Sequence, residues 1–203
     1  ANLAQIAGQY FFLLFDADGL AADSFWTTVV GIFWIVVMTW ICYIGIEVSA
    51  RFQQALLSIE VVMIVLFSMV ALVRVYAGHD GSIHPSPSWF NPFEIHSLSA
   101  FSSGILLAVF IYWGWDTAVA INEETKDRDK TPGRAAILST ILLLGTYAIM
   151  TVAAQAFAGI GETGLGLSNP DNSGDVLSVL GKAVFGSSWL GSFLTHLLVL
   201  LVL

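Results

Sequence analysis

Residues 25–46 read FWTTVVGIFWIVVMTWICYIGI, 22 positions without a single Asp, Glu, Lys or Arg. A bilayer core about 30 Å thick takes about 20 apolar residues of helix to cross, so this stretch reads as a membrane helix. Working outward, three more uncharged runs follow: Ser97–Trp115 (19 residues), Ala135–Gly161 (27) and Ala183–Leu203 (21). A further run, Gln54–Val73, is interrupted only by Glu60, and the chain opens in the apolar stretch Ala1–Phe15. The expected fold class is an all-α membrane protein, a multi-helix transmembrane bundle. It forms a single transmembrane domain over 1–203, with helices at about 1–15, 25–47, 54–77, 98–122, 134–160 and 187–203.

Composition points the same way. Of 203 residues, 57% are hydrophobic and 11% charged, with a mean hydropathy of +0.81, whereas a soluble domain carries about 25% charged residues. A formal net charge of -8 argues against nucleic acid as a partner, because phosphate binding needs Lys and Arg; membrane lipids are the expected surroundings. The one cysteine, Cys42, permits no internal disulfide and is expected in the core. Opening at Ala1 inside an apolar run and stopping in LTHLLVLLVL, the chain reads as a fragment. Its first stretch lacks the basic n-region of a signal peptide.

The links between the runs differ in charge. Arg51 lies on a tight link, Ser49-Ala50-Arg51-Phe52, and Lys126, Arg128, Lys130 and Arg134 on the link 123–134, so two links hold five of the seven basic residues. The alternate links carry Asp16, Asp18, Asp23, Asp80, Glu94, Glu162, Asp171 and Asp175. By the positive-inside rule the basic links are cytoplasmic and the acidic ones face outward. Thr131-Pro132 reads as an N-cap and first helical position. In the outer loop 78–96, Pro85, Pro87 and Pro92 exclude a long helix, while Trp89, Phe90 and Phe93 suit an interfacial belt. Within 175–185, Val176, Leu177, Leu180 and Val184 share one face, which predicts a short helix along the outer surface.

Three ionisable residues fall inside or at the edge of the apolar runs: Glu60, Asp116 and His196. Charge near the bilayer centre is costly, so such acids usually face the bundle interior and mark a substrate or ion path; the alternative is an acid that snorkels to the interface. His196 has no evident partner in the sequence and reads as a packing residue. Ala100, Gly104 and Ala108 recur every four residues, a small stripe for close helix approach, and the same face continues to Tyr112 and Asp116. There the chain reads Phe110-Ile111-Tyr112-Trp113-Gly114-Trp115-Asp116-Thr117, a glycine amid aromatics that fits either a discontinuous transporter helix or a crowded aromatic interface.

Two patterns are set aside. Gly159, Gly161 and Gly164 spell G-x-G-x-x-G, but follow a membrane helix where a dinucleotide site needs a strand before and a helix after. His79, His84 and His96 share a loop with Asp80 and Glu94 without compact ligand spacing, so neither a metal nor a cofactor is expected.

The run 114–126, GWDTAVAINEETK, followed by PGRAAI at 132–137, resembles the amino acid-polyamine-organocation permeases, whose sixth helix carries an aromatic, a glycine and an acid, then an acidic pair, a basic residue and a proline. Upstream, GIEVSARFQ at 45–53 is similar to that family's link between its fourth and fifth helices. The resemblance implies that the six segments correspond to helices 3 to 8 of the LeuT-type inverted-repeat fold, leaving out helix 1, which forms half of the substrate site. It implies substrate binding at Phe110, Ile111, Tyr112, Trp113, Gly114 and Trp115, with Phe110 as an aromatic lid and the backbone of 111–115 unwound toward the substrate's amino group. Asp116 would be a gate or proton-linked acid. Glu123, Glu124, Lys126 and Arg134 would form a cytoplasmic gate motif. Several proton-coupled relatives place a Lys in mid helix 5 in lieu of a sodium ion; Glu60 stands at the matching position and reverses that charge. It is therefore expected to carry a proton or to neutralise a bound cation.

The function expected on these grounds is secondary active transport of an amino acid or related amine across the cytoplasmic (plasma) membrane by a multi-pass permease, not an enzyme. Because Glu60 and Asp116 titrate, H+ coupling or exchange is favoured over Na+. The aromatic wall suits an apolar side chain or, through cation-π contact, an amine. Two other readings compete: a sensor or assembly subunit that keeps the fold without turnover, and a membrane hydrolase, which would need a catalytic partner for His196.

Overall fold

The computed structural model describes residues 2–95, 97–111, 125, 127–172 and 175–200, and among these it contains helices and no strand. The helices are α1 (Asn2–Leu13), α2 (Asp18–Ala21), α3 (Ser24–Ile44), α4 (Ile46–Tyr76), α5 (Leu98–Ile111), α6 (Thr131–Ala158), α7 (Val176–Phe185) and α8 (Trp189–Leu200). Three of them are long and apolar enough to cross a membrane: α3, α4 from Glu47 onward, and α6. Helices suit this solvent because each satisfies its own backbone hydrogen bonds where no water is available.

Local chemistry sets the boundaries. The Asp23 side chain accepts a hydrogen bond from the Phe25 amide at 2.8 Å, so an acid of an outward link is the N-cap of α3. Between α3 and α4 stands only Gly45, at φ 148 and ψ 154, a conformation essentially restricted to glycine. The tight link expected at 49–52 is therefore helical, and the helix expected to start near 54 begins at Ile46. The sequence 47–53 holds no strong helix breaker, and its charge marks contact with water rather than a helix end. Similarly, the Lys130 carbonyl accepts the Arg134 amide at 3.1 Å, so Thr131 is already helical and the cap lies one residue earlier than expected. Gly159 (φ 69) follows the end of α6 in the left-handed region, its amide bonded to the Gln155 carbonyl at 2.9 Å.

The described residues divide into two units, Ala1–Ile83 with Ala153–Leu203, and His84–Val152. In the first, α1 and α3 approach so closely that a Cβ at Gly8 would meet the Thr27 backbone and one at Gly31 the Ala4 backbone. One face of α4 (Met63, Phe67, Ala71 and Val75) is buried, and Phe67 meets Phe185 of α7 edge-on at 6.0 Å between centroids. Helices α7 and α8 pack at Gly181, where a Cβ would lie 2.9 Å from the Thr195 side chain. The end of α6 joins this unit through Ala153, Ala156 and Phe157, all buried. His79 stacks on Phe157 at 4.3 Å, and the Ile83 amide donates to the Ala156 carbonyl at 2.7 Å.

In the second unit, Pro87 and Pro92 each open a 3-10 turn, Pro87–Phe90 and Pro92–Glu94, capped by the side chains of Ser86 and Asn91. This is how the proline-rich loop satisfies its backbone without a longer helix. The unit also holds α5 and most of α6.

Candidate functional site

Glu60 sits near the midpoint of the 31-residue α4. At 1.5 Å per residue the helix is about 46 Å long, and Arg51 and Arg74 stand about 34 Å apart along it. Those cations therefore bracket a length close to the hydrocarbon thickness, with Glu60 between them. Helical spacing places Glu60 on the stripe that continues through Met63, Phe67 and Ala71, all buried, at the point where that burial gives way to partial exposure. Among the described residues no hydrogen bond or ion pair reaches its carboxylate.

The second half of the expected site is only partly visible. Helix α5 is continuous through Ile111, so the backbone at Phe110 and Ile111 is still helical where the description stops. Tyr112, Trp113, Gly114, Trp115, Asp116, Glu123, Glu124 and Lys126 lie outside the described residues. The small stripe Ala100, Gly104 and Ala108 is exposed, and nothing described comes within 4 Å of a Cβ placed on Gly104. Arg134 occupies the first turn of α6, exposed. Glu60 belongs to the first unit, and Phe110, Ile111 and Arg134 to the second.

Other polar groups come together away from the expected site residue of α4. A cleft of about 300 Å³ is lined by Gln5, Gln9, Ser24 and Thr27, with the Gln5 amide donating to the Ser24 hydroxyl at 3.1 Å. The two glutamines, one turn apart in an apolar opening stretch, were the available signal. His196 acquires a partner: its Nε2 lies 3.4 Å from Asp16 Oδ2, and Lys182 Nζ lies 3.9 Å from Asp16 Oδ1. Arg74 Nη1 donates to the Ala183 carbonyl at 3.1 Å, placing a cation at the negative end of α7. Asp175 caps the other end, accepting the Ser178 amide at 3.1 Å. Burial, above all, pushes the Asp175 carboxyl above the usual carboxylate range, the nearby Asp18 charge adds to this, and hydrogen bonds from Ser178 and the charge of Lys182 oppose it.

Cys42, expected in the core, is exposed on α3, with its Sγ 3.6 Å from the Ser49 hydroxyl across the Gly45 junction. Helix α7 packs through Ser178, Leu180, Gly181 and Val184. Its inner face is thus turned toward small residues relative to the expected Val176, Leu177, Leu180, Val184 stripe.

A family model described as "Amino acid permease" matches residues 2–203. The branched-chain amino acid permease BcaP of Bacillus subtilis is 28% identical over 132 residues, which cover 62% of this chain and 26% of that protein. The low-affinity methionine permease of Saccharomyces cerevisiae is 26% identical over 155 residues, 73% of this chain and 27% of the relative. The human Asc-type amino acid transporter 1 is 25% identical over 122 residues, covering 59% and 23% respectively. The chain thus spans about a quarter of the length of the curated relatives it matches. No solved structure matches it.

Proposed function

The chain belongs to the amino acid permease family, and from that premise we propose that the full-length protein is a secondary active transporter that moves amino acids across the plasma membrane by alternating access, with proton coupling or exchange. It is a multi-pass integral membrane protein and not an enzyme. Two of the relatives are named for branched-chain amino acids and for methionine, which favours a substrate with an apolar side chain over a polyamine. In this reading Phe110 to Trp115 line the substrate, Asp116 and Glu60 exchange protons, and Glu123, Glu124, Lys126 and Arg134 form the cytoplasmic gate.

The observation that supports the coupling assignment is Glu60: a half-buried acid at the middle of a membrane-length helix, at helical spacing from the buried Met63, Phe67 and Ala71. A proton on that carboxylate changes what the interior tolerates, and binding shifts the equilibrium between inward and outward states only through its differential free energy for the two. The test is uptake by the full-length protein in proteoliposomes, using leucine, methionine and a polyamine under a proton gradient, a sodium gradient or neither. Accumulation of an apolar amino acid driven by the proton gradient is the expected result; its absence from folded protein under every gradient would instead favour a sensor or assembly subunit. Glu60→Gln should cut proton-driven accumulation roughly tenfold or more, a change of about 1.4 kcal/mol or greater in the coupled step, and flatten its pH dependence. Unchanged uptake in that variant would remove Glu60 from coupling.

A further inference from the structure

The turn that ends α1 places Asp16 at φ 52, a left-handed conformation uncommon outside glycine, though one that Asp and Asn adopt several-fold more readily than other side chains. Backbone bonds hold it there: the Asp16 amide donates to the Leu13 carbonyl at 3.1 Å and the Ala17 amide to the Phe12 carbonyl at 3.0 Å. From this turn the two carboxylate oxygens reach two different helices, Oδ1 toward Lys182 on α7 and Oδ2 toward His196 on α8. One carboxylate thereby connects α1 to a helix pair drawn from the other end of the chain.

We propose that Asp16, His196 and Lys182 form a proton-operated latch: with His196 protonated, Asp16 ties the turn after α1 to both α7 and α8, and with His196 neutral the tie to α8 loosens. A histidine is the side chain whose charge ordinarily changes between about pH 5 and 8, and the contact with Asp16 is an ion pair only in the charged form. The surrounding charges make that proton count. Asp18 adjoins the same turn and Asp175 caps α7, within electrostatic reach of Asp18, Lys182 and the α1 residue Tyr10. Among the described residues Lys182 and His196 are the two cationic partners of Asp16, and Lys182 also acts on Asp175. Helix α8 holds no other titratable group. On α4, Arg74 is engaged by the Ala183 carbonyl, Glu60 lies near mid-helix, and Glu47 and Arg51 stand at the far end.

The side chain of His196 is 27% exposed, and that of Asp16 is 66% exposed. A contact of this length between partly exposed side chains is a modest, reversible tie rather than a permanent staple. The inference concerns how the fold is held together and does not depend on the transport reading, and its measurement needs no substrate.

The experiment is hydrogen exchange of the full-length protein in lipid nanodiscs at pH 8 and pH 5.5, corrected for the intrinsic pH dependence of exchange. Peptides covering 14–22 and 192–200 are expected to exchange about two- to fivefold more slowly at the lower pH, the range of an exposed ion pair acting on local opening. His196→Gln should abolish that difference. Asp16→Asn keeps a residue that accepts the left-handed turn and should abolish it independently, so the outcome does not hang on one variant's folding. Asp175→Asn should retain it. A pH response that survives both His196→Gln and Asp16→Asn, or that disappears in Asp175→Asn alone, would overturn the latch.

Discussion

At the scale of single residues, Asp175 combines two opposed effects. Its side chain satisfies the Ser178 amide at the start of α7, while burial raises its pKa. A carboxyl whose folded pKa lies above its unfolded value favours the folded state most fully below the unfolded pKa, and that contribution is lost as pH rises through the folded pKa. The α7 segment should therefore become easier to open as pH climbs from about 4 through the raised pKa of Asp175. In Asp175→Asn, which keeps a capping oxygen, this dependence should vanish; Asp175→Ala should remove it too and cost about 1 kcal/mol at low pH, less as pH rises. Hydrogen exchange of 176–185 against pH reads both. Asp23 and Asp175 were legible only as acids of outward links, and their capping roles came from the structure. The exposure of Cys42 was not legible, because an apolar run in lipid has no polar face to show which side packs.

Elements are joined here by backbone geometry as much as by side chains. Gly45 alone turns α3 into α4, at a φ that an L side chain resists. Gly45→Ala should destabilise the protein by about 1–3 kcal/mol, seen as a lower thermal midpoint in detergent, although a Cβ there meets no neighbour within 4 Å. At the α1–α3 crossing the obstacle is contact instead: Gly8→Val and Gly31→Val should each separate the helices, with losses of about 1–3 kcal/mol or more. Arg74→Gln should loosen α7, since a charged hydrogen bond to a helix-end carbonyl contributes about 1.5–3 kcal/mol, and faster exchange across 176–186 would report it. Uncharged runs located these helices, but the runs of α3 and α4 did not locate their junction. Loss of charge marks the bilayer, whereas a helix continues as long as its backbone bonds are satisfied.

For the whole molecule, the alternation of basic and acidic links makes a prediction about sidedness. In a Cys42→Ala background, a cysteine placed at Asp129 should be reached by impermeant thiol reagents only from the cytoplasmic side, and one at Glu162 only from outside. Labelling of both from one side would overturn the orientation. The sequence by itself determined the membrane class, because in lipid each span must be apolar and must satisfy its own hydrogen bonds, and both conditions are local; the permease family it showed separately, through the resemblance of the runs at 45–53 and 114–137. It also brought Glu60 forward, since an acid in an apolar run stands out without any structure. Only the tertiary structure decided which faces pack: that Met63, Phe67, Ala71 and Val75 form the buried stripe of α4, that Gly8 and Gly31 carry the α1–α3 crossing, and that Asp16 meets His196. Hydrophobicity does not distinguish a lipid-facing side from a helix-facing one. Contacts between residues at opposite ends of the chain are fixed by how those faces fit together.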